Sequence, residues 1–311
     1  MRNLTIRQLR SIRAIDKVGK ISIAARNLGL TAPAVTLQLK QVEEADGILL
    51  FERTSEGMQT TIAGEAYVET AGAVEDILQQ LEDKIDAIKG GKTGRLRLGI
   101  VSTAKYFAPY LVAGFAASHP DIEIVMTVGN REKLVEMLHS HEADIFLMGR
   151  PPKGMHLNSF IFGDHPLVVI ARPDHPLAGK RGISKERIAS ETFLIREKGS
   201  GTRISLEIYL GEIPGKLDAL GIEMDSNETI KQSVMAGMGI GFISAHTIAQ
   251  EVASGRLIIL DVESMPIKRQ WFSVTRQNRT ISPAIAEFQE FLRIKGKSYF
   301  PNFPTLYSLE S

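Results

Sequence analysis

Apolar residues recur three and four positions apart through the first ninety residues. Beyond them, alternating strand-like runs are interleaved with helical ones. Ile6, Leu9, Ile12, Ala14 and Ile15 mark the inner face of a predicted helix over 5–18. A second helix covers 21–28 and ends at Gly29, and a third covers 31–46. The third has Thr31 as its N-cap, Pro33 in its first turn and Val35, Leu39 and Val42 as its core stripe. Ala25, Gly29 and Val35 have helix-turn-helix spacing: a small residue where two helices cross, a residue tolerant of positive φ, and a branched apolar anchor. After Gly47, residues 49–60 read as a two-stranded wing turning at Glu56-Gly57. Residues 61–89 contain no proline, and Tyr67, Ala71, Val74, Leu78, Leu81, Ile85 and Ile88 follow a heptad seam. That seam predicts a dimerising coiled coil; the alternative is a helix packed on its own domain. Gly90-Gly91-Lys92-Thr93-Gly94 reads as a hinge.

The pattern then changes. Strands are predicted at 95–101, 122–128 and 145–148, with helices at 102–118 and 131–141 between them. This β-α-β-α-β order implies a parallel sheet. Further strands fall at 167–171, 193–196, 239–243, 257–259 and 270–275, with helices at 202–210, 228–236 and 283–294. Two α/β lobes joined by crossovers near Gly163 and near Pro266 fit this order. The tail after Lys297 is expected to be poorly ordered.

Composition adds bounds. At 311 residues with 43% hydrophobic positions, the chain supports two or three domains. Without cysteine it forms no disulfide or thiolate metal site, which suits a reducing cytosol. The first residues lack the apolar core of a signal peptide, and no run reaches the length of a membrane span, so a cytoplasmic protein without membrane contact is expected. The net charge of +1 is uninformative, but its placement is not. Before residue 41, eight basic side chains stand against Asp16 alone. Charge concentrated there suits phosphate neutralisation on duplex DNA. On the outward face of the third helix, Thr31, Ala34, Thr36, Gln38 and Lys40 are candidate DNA contacts, and Arg53 joins them from the wing. Gln38 can pair with adenine; Lys40 and Arg53 suit phosphates.

The segments Ala24-Ala25…Leu28, Pro33-Ala34-Val35-Thr36…Leu39, Val42-Glu43, Leu50-Phe51…Arg53 and Thr61…Ala63-Gly64 resemble the LysR-type transcriptional regulators to about residue 296. Ala32 stands where that family usually has Gln, and Leu37 where it usually has a polar or basic residue. Five further blocks resemble the regulators of RuBisCO and Calvin-cycle operons: 101–109, 128–132, 148–152, 199–203 and 226–232. The resemblance implies an α/β protein with an N-terminal all-α winged helix-turn-helix, a long linker helix and a two-lobed, periplasmic-binding-protein-like effector domain. It places the DNA-binding domain at 1–60, the linker at 61–92, the effector domain at 93–300 and a tail at 301–311. Lobe I would be 93–163 with 266–296, and lobe II 164–265. It also implies a homodimer or homotetramer activating carbon-fixation genes. Its effector would be a small anionic metabolite such as ribulose bisphosphate, phosphoenolpyruvate, ATP or NADPH, with no cofactor.

The residues support an anion between the lobes. Ser102 and Thr103 follow a strand and open a helix, and Lys105 adds a mobile charge. Gly201, Thr202 and Arg203 offer the same from the second lobe. Asn130 and Arg150 follow strand ends, and Asn227 opens another helix. Each Ser, Thr and Asn is equally a standard helix cap; their convergence favours a site. Arg203→Ala is expected to weaken the effector response and spare basal DNA affinity. A solute-binding module would fit the lobes alone, but the basic N-terminal unit argues against it. An enzyme with an appended DNA-binding unit lacks any nucleophile–base pair, Walker A run or paired carboxylates. His139 and His141 cannot share a helix face, and the other histidines show no ligand spacing, so no metal site is expected.

Overall fold

A computed structural model describes residues 4–88, 94–211, 213, 221–277 and 281–302. The chain divides into two compact units, residues 1–92 with 136–142, and residues 93–135 with 143–311.

In the first unit, α1 (Ile6–Val18) starts from a capping box between Thr5 and Gln8. α2 (Ile21–Asn27) gives way to Gly29, whose φ of 65° turns the chain into the next helix. α3 (Ala32–Asp46) is capped by the Thr31 hydroxyl, which accepts from the Ala34 N–H at 3.4 Å. Ile12, Ile15, Ala25, Val35, Leu39 and Leu50 close the core between these helices. The wing is an antiparallel pair, β1 (Phe51–Thr54) and β2 (Gly57–Thr60), turning through Ser55-Glu56. Thr61 caps α4 (Ile62–Ile88), accepting from the Gly64 N–H at 3.1 Å. A Cβ on Gly64 would lie 2.0 Å from the Leu50 carbonyl oxygen, so only glycine lets α4 start this close to the wing.

The seam on α4 is two structures in one helix. Tyr67 and Ala71 are buried in the winged-helix core, with Val74 packed against it. These positions serve their own domain, contrary to the expectation of a dimer seam along the whole segment. The reason is proximity: the first turns of α4 pack along α1. Leu81 and Ile85 remain exposed, as does Ile77 beside them. The Ile88 side chain lies outside the described residues, as does the expected hinge apart from Gly94.

The second unit is one mixed sheet. β3 (Gly94–Val101) runs parallel to β4 (Ile122–Gly129) and β5 (Ile145–Met148), with α5 (Ala108–Ser118) and α6 (Arg131–His139) as crossovers. β6 (Leu157–Ala171) then crosses to the second lobe. That lobe adds α7 (Lys185–Ala189), β7 (Phe193–Arg196), α8 (Gly201–Leu210), β8 (Ile222–Met224), α9 (Asn227–Met235), β9 (Ile240–Ser244), α10 (Ala249–Ala253) and β10 (Ile258–Ile259). β11 (Ile267–Arg276) returns antiparallel to β6, and α11 (Pro283–Lys295) packs back on the first lobe. The strand order is β4-β3-β5-β11-β6-β9-β7-β8, with β10 beside β6.

Parallel pairing holds among β3, β4 and β5 and among β7, β8 and β9, as expected, but the sheet as a whole is not parallel: β6 runs antiparallel to β9 and β10, and β11 antiparallel to β5. β6 and β11 pair antiparallel because two crossings in opposite directions must lie side by side. Gly163 faces Trp271 in their register, which shifts between Trp271 and Phe272. The helix expected over 102–118 is interrupted. A short 3-10 turn spans Ala104–Tyr106, and α5 begins only at Ala108, with Pro109 in its first turn. Proline has no N–H for a helix interior and is tolerated only there. Alternation along β6 sends Leu167, Val169 and Ala171 to one core and Val168 and Ile170 to the other.

Candidate functional site

On the first unit, Thr31, Thr36, Lys40 and Arg53 are exposed and Ala34 is half-buried. Leu37 projects between them at 58% exposure. The Thr36 hydroxyl donates back to the Ala32 carbonyl at 2.9 Å. Gln38 turns inward: its Oε1 accepts from the buried Ser11 hydroxyl at 2.5 Å. The carbonyl end of Gln38 thus ties α3 to α1, and an adenine pairing that uses both ends of the amide has to share that oxygen with Ser11. The exposed cations on this face, Lys40 and Arg53, suit phosphates as point contacts.

In the second unit the C-terminal ends of β3, β4, β5 and β7 open on a cleft between the lobes, enclosing about 100 Å³. Ser102, Thr103, Asn130 and Arg150 line it from the first lobe, and Gly201 and Thr202 from the second. Ser200 at the N-cap of α8 gives that helix no side-chain cap and also lines the cleft. The positive end of the α8 dipole and its first N–H groups therefore face the same space.

Four arginines decide its electrostatics. Arg196 is 3% exposed and ends the otherwise apolar β7. It donates from Nε and Nη2 to the Glu197 carboxylate at 2.6 and 2.8 Å. Its Nη1 donates to Asn227 Oδ1 at 2.7 Å, and its Nη2 to the Ser102 hydroxyl at 3.2 Å. Ser102 lies across the cleft, so Arg196 bridges the lobes. Asn130 Nδ2 adds a second bridge, donating to Glu197 at 3.3 Å. Arg131, Arg150 and Arg269 also line the cleft, and none has an acidic partner among the described residues. Burial, and then the neighbouring Arg150, hold Arg131 below its ordinary pKa. Arg131 and Arg150 repel each other, and an anion with two or more charges relieves that repulsion while taking forked hydrogen bonds from these and from Arg269.

Three expected contacts lie elsewhere. Arg203 turns away from the cleft to Glu207 at 2.8 Å, Glu223 at 2.5 Å and the Arg196 carbonyl at 3.2 Å. Two carboxylates within reach draw it off, and they hold its pKa above the ordinary value. Lys105 lines a separate depression of about 490 Å³ with Tyr106, Lys231 and Glu251, because the 3-10 turn swings it off the strand end. Asn227 is buried beneath Arg196 and orients it. Sequence reasoning missed Arg131, Arg196, Arg269 and His165 as cleft residues. For Arg196 a signal existed: one charge closing a strand of three apolar residues. For Arg269 none did, since only pairing with β6 carries it there.

Comparison with known proteins agrees with this architecture. Residues 6–65 match the family model "Bacterial regulatory helix-turn-helix protein, lysR family", and residues 89–296 match the "LysR substrate binding domain". The HTH-type transcriptional regulator CbbR of Rhizobium meliloti (strain 1021) is 57% identical over 301 residues, covering 97% of this chain and 96% of that protein. The RuBisCO operon transcriptional regulator of Allochromatium vinosum is 42% identical, over 93% of this chain and 96% of the relative. Among solved structures, the CcmR regulatory domain of Synechocystis PCC6803 in complex with 2-PG superposes with a TM-score of 0.61 at 39% identity. It covers 65% of this chain and 96% of that one. The chain belongs to the lysR family of bacterial regulatory helix-turn-helix proteins.

Proposed function

We propose that this chain activates transcription of RuBisCO and other carbon-fixation genes, and that a phosphorylated or nucleotide metabolite in the inter-lobe cleft controls it. The observation that carries the effector class is the set of three guanidinium groups beside the α8 N-terminus that have no acidic partner among the described residues. The operon assignment is supported by similarity to relatives bearing the names CbbR and RuBisCO operon regulator. A further support is that a structure 39% identical in sequence holds 2-PG.

On this reading, residues 1–60 bind duplex DNA through Thr31, Ala34, Thr36, Gln38, Lys40 and Arg53. Residues 61–92 pair two copies through Leu81, Ile85 and their neighbours, and two such pairs form a tetramer. Residues 93–300 sense the effector, with Ser102, Thr103, Asn130, Arg150, Gly201 and Thr202 as contacts joined by Arg131, Arg196 and Arg269. Ribulose bisphosphate, phosphoenolpyruvate, ATP and NADPH are the candidate effectors. The protein works in the cytoplasm as a regulator rather than as an enzyme; among the described residues no helix is long and apolar enough to cross a membrane.

The test is a footprint of the full-length protein on DNA upstream of its host's carbon-fixation operon, with and without each metabolite. A protected partly palindromic site whose length or bend changes with one metabolite supports the reading. Protection elsewhere in the genome but not at this operon overturns the gene assignment. A footprint indifferent to every phosphorylated probe overturns the effector assignment.

A further inference from the structure

The cleft wall carries one polar group of a different kind. His165 stands on β6 opposite Arg269 on β11 and lines the same space. It is 6% exposed and its ring stacks on Trp271, with centroids 3.9 Å apart and planes 17° from parallel. Neither ring nitrogen has a hydrogen-bond partner among the described residues. Burial, and then His246 and Arg269, push its pKa down to about 3, so the imidazole is neutral.

A neutral imidazole presents one N–H and one lone pair, at fixed positions on a ring that the stack holds in place. Arg131, Arg150 and Arg269 can only donate. Hydroxyls such as Thr103 and Ser200 rotate to follow whichever partner arrives. An anion therefore satisfies every guanidinium, and the imidazole N–H as well, yet leaves the imidazole lone pair buried and unmet. Only a ligand that also carries a donor answers it. Leaving one hydrogen bond unmade in such a site weakens binding roughly ten- to hundred-fold.

We infer that His165 is a specificity residue of the cleft, selecting anionic effectors that carry a hydroxyl group near their phosphate over phosphates that carry none. The inference rests on the effector role proposed above for the cleft.

The experiment titrates full-length protein by calorimetry with ribulose 1,5-bisphosphate, which has hydroxyls, and with phosphoenolpyruvate, which has none. His165→Phe keeps a stacking ring and removes both nitrogens; His165→Gln keeps one donor and one acceptor. The expected result in His165→Phe is a loss for the bisphosphate about ten-fold larger than the loss for phosphoenolpyruvate, which forfeits only its contact with the imidazole N–H. His165→Gln recovers part of the loss. The ratio of wild-type to His165→Phe affinity for the bisphosphate stays flat from about pH 6.5 to 8.5, because the imidazole acts as a neutral group.

The inference is overturned if His165→Phe weakens both probes equally, if it changes neither, or if the ratio climbs as pH falls. Arg150→Ala separates the two levels of the argument. If it weakens both probes while His165→Phe changes nothing, the cleft reading stands and only the role of His165 falls. If the wild type binds neither probe, the cleft reading falls and takes this inference with it. Should His165→Phe fail to fold, His165→Met fills the volume without a nitrogen and makes the same comparison.

Discussion

The two units handle positive charge in opposite ways. Around α3 and the wing, Lys40 and Arg53 are exposed and hydrated. In the cleft, Arg196 is buried outright, Arg131 and Arg269 are half-buried and Arg150 is exposed; among the described residues the last three face no carboxylate. Hydrated cations attract a polyanion from a distance and tolerate many sequences. Partly dehydrated ones repel each other until a fitting anion arrives, and they reject whatever cannot fill their geometry. One surface is built for a long charged rod, the other for one small molecule.

Salt separates them most widely. Raising it from about 50 to 200 mM exchanges condensed counterions against every phosphate contact. DNA affinity of a dimer with about six such contacts should then fall on the order of 10³-fold. Effector affinity should fall only several-fold, since Arg131, Arg196 and Arg269 are half-buried or buried and so shielded from bulk ions, while Arg150 alone of the four is exposed. Fluorescence anisotropy on operator DNA and calorimetry on the effector, run in the same buffers, check this. Equal slopes would mean that the cleft is as open to solvent as the wing.

Acid separates them next, through histidines that only the second unit buries in this way. His165 and His246 are neutral in the fold, with pKa values pushed down to about 3 and about 4, against 6.5 for a free imidazole. Below 6.5 the unfolded chain takes up protons that the folded unit refuses. Stability is therefore full above 6.5 and is lost as pH falls toward 4. From pH 7 to 5 the two together remove about 3–4 kcal/mol. Urea denaturation monitored at the single tryptophan, Trp271, reads this unit directly. A midpoint that does not move across that range would show the imidazoles reaching solvent.

Removing one cleft cation has a smaller effect. Arg150→Ala leaves two uncompensated guanidinium groups instead of three and relieves Arg131 of a like charge. Effector affinity should drop about ten- to thirty-fold, the loss of one charge-assisted contact. Basal DNA affinity should stay within about two-fold. A matching loss in basal DNA binding would break the separation of the two charge sets.

The same contrast explains what could be read from the chain in advance. The helix-turn-helix was legible because Ala25, Gly29 and Val35 do their work within eleven positions, and Gly29 turns the chain at the positive φ its place demands. Alternation and capping likewise located most strands and helices of the second unit, and the fold-level resemblance agrees with the family match. Short elements such as α7, β8 and α10 escaped, since three to five residues carry no periodicity. The front of α4 was misjudged because a heptad seam does not say whether its partner is α1 or a second chain; Tyr67 and Ala71 chose α1. The cleft was legible at Ser102, Thr103, Asn130, Arg150, Gly201 and Thr202, which follow strand ends or open a helix. It was not legible at Arg269 and His165, which meet only through the antiparallel register of two strands about a hundred residues apart.

Arg203 gives the smallest expected effect, and a sharp one for that reason. It sits seven residues past Arg196, beside a glycine-rich turn, and by position alone belongs with the anion site. Its guanidinium instead forms an i,i+4 pair with Glu207 and a second pair with Glu223. It reaches the cleft only indirectly, by donating to the carbonyl of Arg196. An arginine with two carboxylates has no charge to offer an effector. Arg203→Ala should therefore change effector affinity by less than about two-fold. It should cost about 1 kcal/mol of stability, because a largely screened pair and one backbone hydrogen bond are lost. Calorimetric titration and chemical denaturation of the same preparation give both numbers. A tenfold loss of effector affinity with stability unchanged would return Arg203 to the cleft and show that Glu207 and Glu223 release it when the anion arrives.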